Sequence, residues 1–427
     1  MRGRPVYIVD GSRTPFLSLQ EGPGPLSAAD LGLAAARPLL ERQSFEPDAI
    51  DELIVGNLLA FPSQPDIARS LALRLGCGER VAGFTVQRGE GSGLQAIDTA
   101  AQRIAGGGAE LILAGGCEAA SQAPLLFPPA MAEFRAAWRE TPSLPDRLRL
   151  LADFHPGLLR PRDSLDAWRS DPATPLDSVQ GAEELAALFD IERTQLDDYA
   201  RQSLRRAAAA QYPEPIEPLF SPDGRVFSVD DGPDPALDAD SLAQLPPLLD
   251  PRLGRLTAGN SAAPADGAAW LLLAGERAVK QHRLPVLGRL LAVRWVGLEP
   301  RLGGLGAAHA TAALLRQQRC ALSDIDCWEW AEKDAAQLLA CLQALTDAAY
   351  CKARLGWNRP PGRIDPARLN VHGGAIAIGD PLSASGVHIV LRLMHVLNRR
   401  KGRRGIAAVS IGGGQGGAVL LEGLAAL

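Results

Sequence analysis

The stretch Gln87-Arg88-Gly89-Glu90-Gly91-Ser92-Gly93-Leu94 reads as the end of a strand, a glycine turn and the start of a helix, with Glu90 at the tightest point. Such a turn presents one side chain above unpaired backbone N–H groups, which is the usual seat of a nucleophile or an anion. A carboxylate there has a plain reading. Held by the first amides of the helix, it would stabilise the turn by about 0.3–1 kcal/mol, and by up to about 2 kcal/mol when partly buried.

The elements that must position these residues show in the apolar pattern. Short apolar runs bounded by glycine (VYIVDG at 6–11, ELIVGN at 52–57, LILAGG at 111–116, IAAVSIGGG at 406–414) alternate with helical spacing such as Leu94-Ile97-Ala101-Ile104. This predicts an α/β fold with parallel strands buried on both faces. The segments 82–116 and 369–414 share an order of glycine turn, Ser-Gly, apolar helix, strand and glycine cluster. We read an internal duplication, two related halves packed about a pseudo-twofold axis. The proline-rich and acidic stretch 122–250 reads as an insertion folded over the cleft. The expected division is therefore 1–121 with 251–283, the inserted 122–250, and 284–427.

Composition narrows the function classes. The chain has 427 residues, 46% of them apolar, and a net charge of −5, with basic residues clustered only at Arg399–Arg404. Nucleic acid is not an expected partner, and the cluster reads as a helix C-terminal cap. The six cysteines include no CxxC pair and no histidine at zinc spacing, so reduced thiols, no metal and a cytoplasmic location are expected. No apolar run is long enough to span a membrane or to act as a signal core. Trp328 and Trp330, with Cys327 and Cys341, read as core, and His309, His388 and His395 as packed or surface residues of helices. The run GGGQGG at 412–417 lacks the Lys-Ser/Thr of a P-loop.

From end to end the chain resembles the thiolase family, in particular its degradative branch, which includes the acetyl-CoA acetyltransferases, the 3-ketoacyl-CoA thiolases and the trifunctional type. The resemblance is carried by VDGSRTPF at 9–16, PSQPDIARSLALRLG at 62–76, GSGLQAI at 91–97, ILAGGCEAASQAP at 112–124, LTAGNSAAPADGAA at 256–269, NVHGGAIAIGDPLSASG at 370–386 and IGGGQGGAVLLE at 411–422. It implies duplicated βαβαβ halves in a five-layered α-β-α-β-α core with a loop domain inserted in the first half. It also implies a homodimer or dimer of dimers, with residues 84–88 near the dimer contact, and a role in acyl-CoA and fatty acid metabolism.

The family's chemistry uses a cysteine nucleophile on the strand-to-helix turn, a histidine in GHP that activates it, a second cysteine before GGG, and an Asn or His that helps form an oxyanion hole. A thiolate serves as both nucleophile and leaving group, and an enolate needs fixed donors. Here the matching positions are Glu90, Asp380, Ser410 and Ala331, while Asp334 replaces a phenylalanine that borders the pantetheine tunnel. A carboxylate cannot hold an acyl group as a thioester, and an aspartate of ordinary pKa, about 3.9, is a poor base. An unaided serine hydroxyl does not abstract an α-proton. In the CoA site, Ser241 and Ser261 match hydroxyl positions, and Asp234 falls where some members carry an arginine for the nucleotide end.

The resemblance further implies that Glu90 and Asp380 approach each other. Two such carboxylates rarely both ionise, so one could serve as acid and the other as base, unless Lys333 enters the cleft and neutralises them. His372 stands at a motif position filled by various residues and reads as a hydrogen-bonded wall residue, with a catalytic role as the alternative. Three readings follow: a pseudoenzyme acting as a binding or assembly subunit, alone or in a heteromer with an active thiolase or acyl-CoA enzyme; an acyltransferase that binds CoA thioesters with altered catalysis; or an enzyme of another type using the carboxylate pair. No bound cofactor is expected beyond a CoA thioester as ligand.

Overall fold

The computed structural model describes residues 3–19, 22–61, 64–152, 154–170, 173–211, 214–232 and 237–427. Asp234 lies outside the described residues. Among them, the main sheet runs Cys327–Trp330, Arg404–Ile411, Gln415–Gly423, Gly288–Gly297, Val6–Arg13, Ala265–Gly275, Leu111–Glu118, Glu52–Gly56 and Ala82–Val86, with Leu17–Ser18 pairing off this path. The strands are not all parallel as the pattern suggested. Glu52–Gly56 runs parallel to both Ala82–Val86 and Leu111–Glu118, as does Cys327–Trp330 to Arg404–Ile411, while the central pairs are antiparallel. Helical crossovers join the parallel pairs, and the three-glycine turn between Ile411 and Gln415 makes a hairpin of one antiparallel pair. The other antiparallel pairs join strands far apart in the chain.

The first-half and second-half strands join where Val6–Ile8 pairs with Gly288–Leu290. One core cluster contains residues of both half-sheets together with the helices Ser92–Ala105 and Ser385–Arg400. These two helices form the middle layer. Helices Ala28–Glu41 and Ile67–Arg74 cover the outer side of the first half-sheet, and Gly306–Gln318 and Ala335–Ala344 that of the second. The layering is thus the five-layered one.

The Ser-Gly pairs of the two repeats explain how the central helices meet. A Cβ on Gly93 would lie 2.2 Å from the Ser383 carbonyl oxygen, and one on Gly386 would lie 2.8 Å from the Leu94 nitrogen. Only glycine lets both N-termini come this close, and that brings the turn at Glu90 and the turn at Asp380 to one place.

The segment 122–250 behaves in two ways. Its helices Ser178–Leu188 and Arg193–Ala209 bury Ala182, Leu185, Leu196 and Tyr199 in the outer core of the second half. The earlier helices Pro129–Glu140 and Leu144–Ala152 bury no residue at all. Between them, Ser164–Arg169 is anchored by Leu165, which packs with Leu58, Leu59, Ala120 and Leu382.

Candidate functional site

Gly89 takes φ +53°, the left-handed conformation that glycine adopts without strain, and the Ser92 hydroxyl accepts from Arg88 N–H at 2.9 Å and donates to the Gly89 carbonyl at 2.5 Å. The turn therefore closes on itself. The Gly91 and Ser92 amides are taken by the Arg88 and Gly89 carbonyls, so they do not hold the carboxylate, contrary to the plain reading of the sequence. Glu90, 8% exposed, accepts instead from Lys333 Nζ at 2.7 Å and from Gly412 N–H at 3.2 Å.

Lys333 enters the cleft. Its side chain is 27% exposed, and its ammonium sits 5.0 Å from the centre of the Trp168 ring, a cation–π distance. Burial acts to lower its pKa, but the Glu90 carboxylate outweighs this, with Asp380 and Asp334 adding to it, and the ammonium is held above its ordinary value. Asp380 is held by a Ser385 hydroxyl that donates to it and by Leu382 N–H at 3.0 Å. Burial pushes its pKa up; the Ser385 hydrogen bond and Lys333 act against this, and Glu90 adds to it. The two carboxylates share one cavity wall, with the lysine close to both.

Ser410 is already engaged. Its hydroxyl donates to the Gly304 carbonyl at 2.8 Å and accepts from Ala307 N–H at 3.0 Å, which ties the strand end to the start of helix Gly306–Gln318. Asp334 caps helix Ala335–Ala344 through Gln337 N–H at 2.7 Å, and burial pushes its pKa up to about 6. Ala331 lines the cavity with no polar side-chain atom to offer.

Two sequence expectations are corrected here. His372 does not line the cleft; it lines a separate depression with Tyr199, Arg205 and Arg206. The cause is Asn370, at φ +45°, whose side-chain oxygen accepts from Trp330 N–H and whose amide donates to the Trp330 carbonyl and to Glu332, fixing the loop on the other side of that strand. Ser241 is exposed on the short helix Ala239–Gln244 and is not among the residues lining the cavities around Glu90. Ser261 does reach the cleft. It lines a cavity of about 460 Å³ with Lys333, Asp334 and Asp380, and its buried hydroxyl has no partner among the described residues.

Glu90 and Lys333 stand between two spaces. In front lies a cleft of about 570 Å³, walled by Arg88, Trp168, Arg169, Ser178, Gln337 and Gly412 among others. Behind lies a pocket of about 40 Å³, room for a few water molecules. It is lined by Glu329, Glu332, Asp380, Ser385, His388 and Arg392 among others. Apart from Asp380, sequence reasoning missed this inner group. Glu332 accepts from Tyr199 (2.6 Å), Ser203 (2.8 Å) and Asn370 (2.8 Å). Glu329 is buried, one of its oxygens lacks a partner among the described residues, and burial pushes its pKa up to about 8. The signal was available: a glutamate between two tryptophans in a buried strand is a polar residue where none is expected. Among the described residues no group of three or more His, Cys, Asp or Glu could hold a metal ion.

Comparison with known proteins matches this geometry to a family. The family model described as "Thiolase, N-terminal domain" matches residues 6–277, and "Thiolase, C-terminal domain" matches 284–423. The mitochondrial 3-ketoacyl-CoA thiolase of Rattus norvegicus is 32% identical over 99% of each chain. An acetyl-CoA acetyltransferase of Pseudomonas aeruginosa is 33% identical, covering 97% of this chain and 98% of its own. The crystal structure of human mitochondrial 3-ketoacyl-CoA thiolase superposes with a TM-score of 0.84 at 32% identity, covering 98% of this chain and 99% of that one. The chain belongs to the thiolase family.

Proposed function

We propose that this protein keeps the thiolase scaffold and its ligand cleft without thiolase chemistry, and acts as a binding or assembly subunit linked to acyl-CoA metabolism. The observation that carries this reading is the Lys333–Glu90 ion pair at 2.7 Å, which occupies the turn where the resemblance places a nucleophile. A carboxylate held by an ammonium and by Gly412 N–H is a weak nucleophile that cannot carry an acyl group as a thioester, and no thiol stands in its place. Ser410, bonded on both sides, supports the same reading, since a hydroxyl spent on the Gly304 carbonyl and Ala307 N–H takes no proton from a ligand.

The cleft still has room for a ligand. About 570 Å³ of space lies in front of the pair, and in the adjoining cavity, which shares Lys333 and Trp168 with it, the buried Ser261 hydroxyl has no partner among the described residues. Lys333 and Gln337 in the cleft and Ser261 in the adjoining cavity are the residues that would hold a CoA thioester. The dimer implied by the resemblance would seat on Ala82–Val86, the strand at one end of the sheet path.

Two measurements test the reading. Thiolysis of a 3-ketoacyl-CoA, followed by loss of its enolate absorbance, should not exceed the enzyme-free blank, and turnover clearly above that blank overturns the proposal. Calorimetric titration with CoA separates a binding subunit, which releases heat, from a scaffold that has also lost its ligand.

A further inference from the structure

The depression lined by His372 lies apart from the cleft, and its wall is positively charged. It encloses about 790 Å³, and its charged lining is Asp198, Arg201, Arg205 and Arg206, one anion against three cations. The anion is already taken, because Asp198 accepts from Arg201 Nη2 at 2.6 Å. Arg205 is exposed and makes no side-chain hydrogen bond or ion pair among the described residues. Arg206 donates to the carbonyls of Pro366 at 2.7 Å and Leu369 at 2.8 Å, and it too has no acidic partner among the described residues.

A second helix brings more positive charge to the same loop. At the end of helix Ser385–Arg400, Arg400 Nη1 donates to the Ala367 carbonyl at 3.0 Å, and Arg399 donates to the Gln211 carbonyl at 2.7 Å. Neither has an acidic partner among the described residues. The loop's own carboxylate, Asp365, faces Arg368 at 3.7 Å, which leaves the balance of charge unchanged. The field reaches His372: burial first, then Arg392, Arg399 and Arg400, hold its pKa below the ordinary value against the pull of Glu214. Helix dipoles explain basic residues at two helix C-termini. They do not explain a concave wall there, nor Arg205, which touches no carbonyl.

Chemistry selects the ligand. Guanidinium groups present planar forks of N–H donors that match the oxygens of a phosphate. The two uncompensated positive charges of the lining equal the charge of one phosphate monoester. Gln202 and Gln343 add neutral amides, and Leu339 and Val371 an apolar wall for an organic group. We infer that this depression is a second ligand site, which takes a small organic phosphate with its phosphate group against Arg205 and Arg206. The site shares a wall with the inner pocket, because Tyr199 and Ser203 of the same helix hold Glu332, the neighbour of Lys333.

Calorimetric titration of the full chain with pyrophosphate, in phosphate-free buffer, tests this. Binding is expected, weakening as salt is added. Arg205→Ala should weaken it about tenfold or more with an unchanged thermal melt, since the side chain is exposed and unbonded. Arg205→Lys keeps the charge without the fork and should lose less. Lys333→Ala, in the separate cleft, should leave pyrophosphate affinity as it is. No heat at millimolar pyrophosphate, or equal affinity in Arg205→Ala, overturns the inference. So does a loss in Lys333→Ala that Arg205→Ala does not share, which would put the anion in the cleft. Cosedimentation with phosphatidic acid vesicles, in the absence of any binding to pyrophosphate, would assign the charge to a lipid surface and overturn it as well.

Discussion

Lys333 Nζ lies 2.7 Å from Glu90 Oε1 and joins residues 243 apart in the chain. One partner sits on the turn that opens the first central helix, the other just before a helix of the second half. The pair therefore links the two halves of the chain, with the cleft in front of it and the small inner pocket behind.

Restoring one residue should not restore the chemistry. Glu90→Cys places a thiol beside Lys333, but Asp380 remains bound to Ser385 and Leu382 N–H, and Ser410 remains bound to Gly304 and Ala307. Thiolysis by this variant is expected at the level of the blank, and a rate clearly above it would show that the remaining groups suffice.

The two halves of the ion pair should differ in cost. Lys333→Ala leaves Glu90 and Asp380 facing each other without a cation and should destabilise by about 1–3 kcal/mol at neutral pH, below the range for a fully enclosed pair because the lysine is 27% exposed. The loss should shrink as pH falls, since protonation relieves the repulsion. Glu90→Gln keeps the Gly412 N–H contact and leaves Lys333 to Asp380, so urea melts should show a smaller loss. Equal losses would mean that the carboxylates do not interact.

Ser410→Ala removes an acceptor from Ala307 N–H and a donor to the Gly304 carbonyl. Orphaning those groups should cost about 1–3 kcal/mol in chemical denaturation. Calorimetric affinity for CoA should stay unchanged, and a large loss of affinity with little loss of stability would instead place the hydroxyl on the ligand.

Glu329 gives a pH signature. Its pKa, pushed up to about 8 by burial, exceeds the unfolded value of about 4.3. The unfolded chain therefore releases this proton first as pH rises. Its contribution is fully present below about pH 4.3 and is lost as pH climbs through about 8. Glu329→Gln should stabilise relative to the parent at pH 8, by on the order of 1 kcal/mol or more, and the two should converge only below about pH 4. A difference that does not change with pH would mean the carboxyl is not titrating in this window.

The sequence alone determined the elements and the place of the site. Glycine-bounded apolar runs located the strands, the paired Ser-Gly turns located the two central helices, and motif order set the expectation that Glu90, Asp380, Ser410 and Ala331 stand at the family's reactive positions. These are local patterns, set by backbone sterics and by side-chain periodicity. Tertiary structure decided what those residues do. Lys333 chose Glu90, Ser410 was taken up by a neighbouring helix start, Asp334 became a cap, and Asn370 turned His372 to another face. Each outcome depends on which hydrogen-bond partner lies nearest after chain segments tens to hundreds of residues apart have packed. Spacing along the chain does not encode that distance. The same limit applied to the strand directions, because most of the antiparallel pairs join strands more than a hundred residues apart.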